Sequence, residues 1–118
     1  MNSLEEEVNG GYKDIKHDYI VKSLVDRLIT SKLYDTIKHN VDYYNPYRGR
    51  AGEFDVIARA GDRYLAFEVK SSSRKLHKAG LQLDRDESYI KDCYSRDCRV
   101  YKFKVYSHKD KIVIKRSW

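Results

Sequence analysis

The chain has 118 residues, 41% hydrophobic and 36% charged, which suits one globular domain with a modest core and excludes a disordered chain. The formal net charge is +6, and no apolar run approaches the roughly 20 residues of a membrane-crossing helix. The acidic start, Leu4-Glu5-Glu6-Glu7, is the opposite of a secretory leader, so a cytoplasmic protein is expected, in a host's cytoplasm if the source is viral.

Residues 1–11 are polar, end in Gly10-Gly11 and are expected to fray. Residues 14–34 carry Ile20/Val21, Leu24/Val25, Leu28/Ile29 and Leu33 at three-to-four spacing, which predicts an amphipathic helix with one apolar stripe. Residues 36–44 read as a strand. Residues 45–52 hold the only proline and two arginines, and read as a flexible basic loop.

Residues 53–59 (EFDVIAR) and 63–70 (RYLAFEVK) read as two strands joined by a two-residue turn at Gly61-Asp62, with glycine supplying the positive φ. In that register Asp55 faces Glu68 and Glu53 faces Lys70. Alternation then puts all four charges on one face. Directly opposed Cβ atoms lie roughly 4.5–5.5 Å apart, so the two carboxylates repel unless a cation lies between them. A hard divalent cation such as Mg²⁺ suits such oxygen donors. A solvated charged face, with Glu53 and Lys70 as an ordinary ion pair, is the plainer alternative. Against it, the acids interrupt runs that otherwise look buried on both faces.

Ser71-Ser72-Ser73 offers capping hydroxyls to a second helix over residues 74–92. Residues 99–106 and 111–116 form a final hairpin. Seven of its cations stand against Asp110 alone within residues 99–118, while residues 1–98 balance, which reads as an electrostatic footprint for a polyanion. Cys93 and Cys98 lack zinc spacing and read as free thiols of a reducing compartment. The four histidines are scattered, and only His77 is expected to approach the charged hairpin. Eleven tyrosines against three phenylalanines are read mainly as half-buried core residues with wet hydroxyls. No dinucleotide fingerprint or phosphate-binding loop is present, so no nucleotide cofactor is expected.

The order is α-β-β-β-α-β plus one strand, predicting an α/β domain over 1–118. A mixed central sheet is flanked by helices, with the acids between a helix and open solvent. With Glu53-Phe54-Asp55, twelve intervening residues and Glu68-Val69-Lys70, the chain resembles the PD-(D/E)XK nuclease superfamily of restriction-endonuclease-like fold. Phe54 stands where the name-giving proline would. Within that superfamily the chain is most similar to archaeal Holliday-junction resolvases and small archaeal or viral nucleases. The composition is compatible with a thermophilic archaeal or archaeal-virus source.

The resemblance implies a metal-dependent DNA endonuclease, acting on branched or junction DNA as a homodimer and leaving a 5′-phosphate. Asp55, Glu68 and the carbonyl of Val69 would hold Mg²⁺, with Mn²⁺ as substitute. Lys70 would position or activate the attacking water. The family often adds a first-helix acid. Asp18 is the first choice, with Asp26, Asp14 and the Glu5–Glu7 run as alternatives. Gln82 is the candidate polar residue of the second helix. Arg48, Arg50, Arg74 and Lys75 are candidates for phosphate contacts. A non-catalytic nucleic-acid-binding protein of the same fold is the alternative reading.

Overall fold

The computed structural model describes residues 2–118, with side chains from Lys16 onward. The candidate acids Asp14 and Glu5–Glu7 have side chains outside that range, and the backbone of residues 2–11, expected to fray, is helical. The elements are α1 (Asn2–Ser31), β1 (Thr36–Asn45), β2 (Arg50–Ala60), β3 (Arg63–Lys70), α2 (Leu76–Tyr89), β4 (Arg99–His108) and β5 (Lys111–Ser117). α1 stops before residue 34 because Lys32 adopts a left-handed φ of 58°, which ends helical hydrogen bonding. A 3₁₀ turn, Ser73–Lys75, precedes α2, and the hydroxyl of Ser72 accepts the Arg74 N–H as its cap. A π-helical turn, Ile90–Tyr94, follows α2.

The strands form one mixed sheet in sequence order, antiparallel except for the parallel pair β3–β4. α2 is the crossover that a parallel pair requires. The basic segment 45–52 is not a flexible loop. Asn45 to Tyr43 pair with Arg50 to Gly52, leaving only a four-residue turn, because Gly49 supplies a φ of 60°. The Gly61-Asp62 turn forms as expected, with Gly61 at φ 62°, and its Asp62 carbonyl receives the Arg99 N–H at 2.9 Å, anchoring the start of β4.

Helices cover both faces of the sheet. Ile20, Val21, Leu24 and Leu28 of α1 pack on Val56, Ala58, Phe67, Val69 and Val105. Leu83 of α2 and Ile90 pack on Phe54, Ile57 and Ala66. Burying each such side chain stabilises the fold by roughly 1.5–3 kcal/mol. The acids therefore do not face open solvent across the sheet, as the strand pattern suggested. They lie where the β2–β3 ladder ends, in the middle of β2 and near the end of β3.

The break in pairing shows in the packing. Strict alternation would place Phe54 with Val56, yet Phe54 and Ile57 face α2 while Val56 and Ala58 face α1. β1 switches in step, with Ile37 on the α1 side and Val41 and Tyr43 on the α2 side. The switch falls at Asn40 and Asp55. His39 pairs with Val56 and Val41 with Phe54, but the two residues between them do not pair. Asn40 holds a left-handed φ of 53°, which rotates the strand and explains the change of face. Among the described residues no helix is long and apolar enough to cross a membrane.

Candidate active site

On the other side of β2, the predicted register holds from Ala60↔Arg63 to Val56↔Phe67 and then ends. Asp55 and Glu68 are thus not a paired couple of the ladder, which corrects the expected direct opposition. The strands part because Asp55 turns its carboxylate into the gap and accepts the Val69 N–H at 2.8 Å. The parting opens a cavity of about 430 Å³ lined by Glu53, Asp55, Glu68, Val69 and Lys70, together with His17, Ser71, Ser72, Arg74 and Lys75. The four charges of the hairpin do converge, through strand separation rather than through pairing.

Asp55 and Glu68 are 3% and 6% exposed, which is rare for carboxylates that lack compensation. Burial by itself would raise the pKa of Asp55, but hydrogen bonds from His17 and the Val69 amide outweigh it and hold the group below the usual carboxylate range. Glu68 is in the opposite state. Burial first, then the Asp55 charge, pushes it up to about 8, against the opposing pull of Lys70. Glu53 rises to about 7, through burial and then its contact with Asp55. Lys70 reaches Glu68 at 3.2 Å, so the expected Glu53–Lys70 pair is replaced by a Glu68–Lys70 pair. Glu53 leans on Asp55 and Asp42 instead.

Two residues that the motif reading missed complete the group. His17 lies one turn before Ile20 and Val21, and two before Leu24, on the buried stripe of α1, and its Nε2 is 3.4 Å from Asp55. Its pKa is raised, first by that hydrogen bond. His77, the histidine expected here, does not line the cavity. Asp86 is completely buried on α2, in the stripe Ala79, Leu83, Asp86, Ile90. Its Oδ1 accepts from Tyr43 Oη at 2.6 Å and from Gln82 Nε2 at 3.0 Å. Burial, opposed by those two hydrogen bonds and reinforced by the charges of Asp55 and Glu53, lifts Asp86 to about 7. Helical spacing was the available signal for both residues, since each occupies a position that the period assigns to the core.

The remaining candidates divide. Gln82 faces the site, donating to the Glu53 carbonyl at 3.2 Å as well as to Asp86. Arg74 and Lys75 stand on the cavity wall. Asp18 does not line it. Its side chain is 72% exposed, 3.8 Å from His17 Nδ1, and borders a different recess with Asp26, because its helical position faces outward from the apolar stripe. Arg48 and Arg50 sit at the β1–β2 turn, away from the cavity, and Arg48 is paired with Asp92 at 2.8 Å.

Among the described residues three buried side-chain polar atoms lack a hydrogen-bond partner, and two of them, Glu68 Oε1 and Asp86 Oδ2, belong to these acids. Uncompensated buried carboxylate oxygens are costly unless a cation completes them. A hard cation fits the donor set. No three His, Cys, Asp or Glu side chains among the described residues form a ready cage, so such an ion would rest on two carboxylates plus backbone or water oxygens, as Mg²⁺ does elsewhere. Compared with family models, curated proteins and solved structures, the chain matches none.

Proposed function

We propose that the chain is a metal-dependent phosphodiesterase acting on DNA, of the restriction-endonuclease-like fold, with Asp55, Glu68 and Lys70 as its reactive core. The observation that carries this reading is the pair of buried carboxylates in the β2–β3 gap, one with an orphaned oxygen, beside a lysine. The element order, with β4 parallel to β3 across a helical crossover, is consistent with that fold.

Asp55, Glu68 and the Val69 carbonyl would hold Mg²⁺ or Mn²⁺. When bound, the ion supplies charge neutralisation at the phosphate and a more acidic water. The chain's own residues do the rest. His17 and the Val69 amide keep Asp55 ionised and fixed in direction. Lys70, on the cavity wall 3.2 Å from Glu68, would present its ammonium to the scissile phosphate or the attacking water. Arg74 and Lys75 neutralise the flanking phosphates. One candidate active site per subunit among the described residues favours a homodimer for symmetric cutting of two strands.

One observation favours a second reading, a non-catalytic nucleic-acid-binding protein. The His17–Asp55 and Lys70–Glu68 contacts already give each carboxylate a positive partner. Four-way junction, flap, linear duplex and single-stranded DNA, each incubated with Mg²⁺, Mn²⁺ or EDTA, separate the two. Wild type should cut at least one of these substrates in a metal-dependent way, and Glu68→Ala should not. Salt-sensitive binding without metal-dependent cleavage would establish the second reading in its place.

A further inference from the structure

We infer that an extended nucleic-acid backbone lies along α2, held by Lys78 and Arg85 between the Arg74/Lys75 wall and Arg50. This deepens the proposed reading and rests on it for the identity of the polyanion. The main cavity shares Glu68 and Lys70 with a second recess of about 250 Å³, lined also by Lys78, Leu81, Gln82 and Arg85. Arg85 in turn is shared with a third recess, which reaches Arg50 and Arg48 at the β1–β2 turn. Shared lining residues make the three neighbours, in a row from the 3₁₀ turn past the acids to the β1–β2 turn.

Lys78, Gln82 and Arg85 stand at i, i+4 and i+7, which is one stripe of a helix. A rise of 1.5 Å per residue sets Lys78 and Arg85 about 10 Å apart along it. The floor between them is fixed, since Gln82 is tied to the Glu53 carbonyl and to Asp86. Leu81, 51% exposed beside this stripe, offers an apolar contact to a sugar or base. Beyond Glu68 no acid lines the second or third recess.

Charge availability points the same way. Among the described residues Arg74, Lys75, Lys78, Arg85 and Arg50 form no salt bridge, whereas Arg48 is bound to Asp92. In the C-terminal hairpin, where the sequence concentrates its positive charge, Arg99, Lys104, Lys109, Lys111 and Lys115 also form no salt bridge among the described residues, but none of them lines the three recesses. Lys102 is held by Asp84 and Glu87, and Arg116 is stacked among Tyr101, Phe103 and Trp118. A single small anion would occupy one recess. The third recess is only about 10 Å³, so it is the row of cations, rather than a third cavity, that a chain of regularly spaced phosphates would engage.

The test is fluorescence anisotropy with labelled single-stranded and duplex oligonucleotides in EDTA, where no hydrolysis intervenes. The variants are K78A/R85A, the charge-preserving K78R/R85K, and the hairpin control K111A/K115A, each checked for an unchanged melting temperature. K78A/R85A should weaken binding about tenfold at about 100 mM salt. It should also flatten the log–log salt dependence by about 1.4 for single strands or 1.8 for duplex. K78R/R85K should bind like wild type, and K111A/K115A should lose less than about threefold. Equal losses in both alanine doubles, or no loss in K78A/R85A, would overturn the track. Binding that depends on Lys78 and Arg85, with no cleavage in Mg²⁺, would overturn the phosphodiesterase reading and leave the track standing.

Discussion

The carboxylate of Asp55 accepts the backbone N–H of Val69 at 2.8 Å, just beyond the last paired positions of the β2–β3 hairpin. A side chain has replaced the backbone ladder there. The same contact opens the cavity and aims the carboxylate, so geometry and chemistry at this site have one origin.

Glu68→Gln keeps the size of the side chain and removes its charge. Cleavage should fall at least about a hundredfold, the usual scale for losing a transition-state charge partner. Added Mg²⁺ should raise the melting temperature of wild type and leave that of the variant unchanged. Calorimetry with and without Mg²⁺ reads the second effect without any activity assay. A full Mg²⁺-induced rise in the variant would remove Glu68 from the ion's site.

Stability should fall with rising pH when no divalent ion is present. Glu68 and Asp86 titrate at about 8 and about 7 in the folded chain, from ordinary values of 4.5 and 3.8, chiefly because they are buried. A carboxyl with a raised folded pKa binds its proton more tightly when folded. Its contribution is therefore complete below the unfolded value and is lost as pH rises to the folded one. His17, raised above 6.5, acts with the same sign. Asp55, lowered from 3.8, acts oppositely but only below about pH 4. In EDTA the melting temperature should drop by more than about 5 °C between about pH 5 and pH 8. Mg²⁺ should restore most of it at the higher pH, and Asp86→Asn should flatten the decline. A melting temperature that rises over this interval contradicts the burial argument.

Gly52→Ala tests the support behind Asp86. A Cβ at Gly52 would collide with the ring of Tyr43, which stacks on Tyr89 at 4.1 Å and donates to Asp86. Overpacking of this kind costs about 1–3 kcal/mol. Urea unfolding should show that loss in the wild-type background and a much smaller one beside Tyr43→Ala. Equal losses in both backgrounds would mean that the ring is not the obstacle.

The β4–β5 turn is a place to gain stability. Lys109 and Asp110 hold φ of 49° and 61°, the two left-handed positions that Asn-Gly adopts with least strain. Replacing the pair by Asn-Gly should stabilise the chain by about 0.5–1.5 kcal/mol, raising the urea midpoint at constant slope. An unchanged midpoint would show that this turn is not strained.

The number and chain order of the elements and the inner hairpin register were legible in the sequence, the register because Gly61 fixes the turn. The site was legible only in part. Register arithmetic extended the ladder through Asp55 and Glu68, whereas a buried carboxylate gains more from a backbone amide than from a facing carboxylate. His17 and Asp86 stayed hidden for a related reason. Each is a polar residue on a helix stripe otherwise read as core, and only the carboxylate or hydroxyl that meets it, 38 and 43 residues away in sequence, gives it meaning.

The parallel pairing of β3 with β4 has a kinetic consequence. Arg63 meets Arg99 and Lys70 meets Tyr106, a separation of 36 residues, while the three antiparallel pairs close across short turns. Local hairpins form quickly, and a contact across such a span waits for loop closure. Asp86 rides on that crossing segment, so the chain meets its most adverse charge arrangement late, after the sheet's local scaffold is in place. Folding should therefore be slowed by alkaline pH and speeded by Mg²⁺ in the phase that docks α2, with the hairpins indifferent to both.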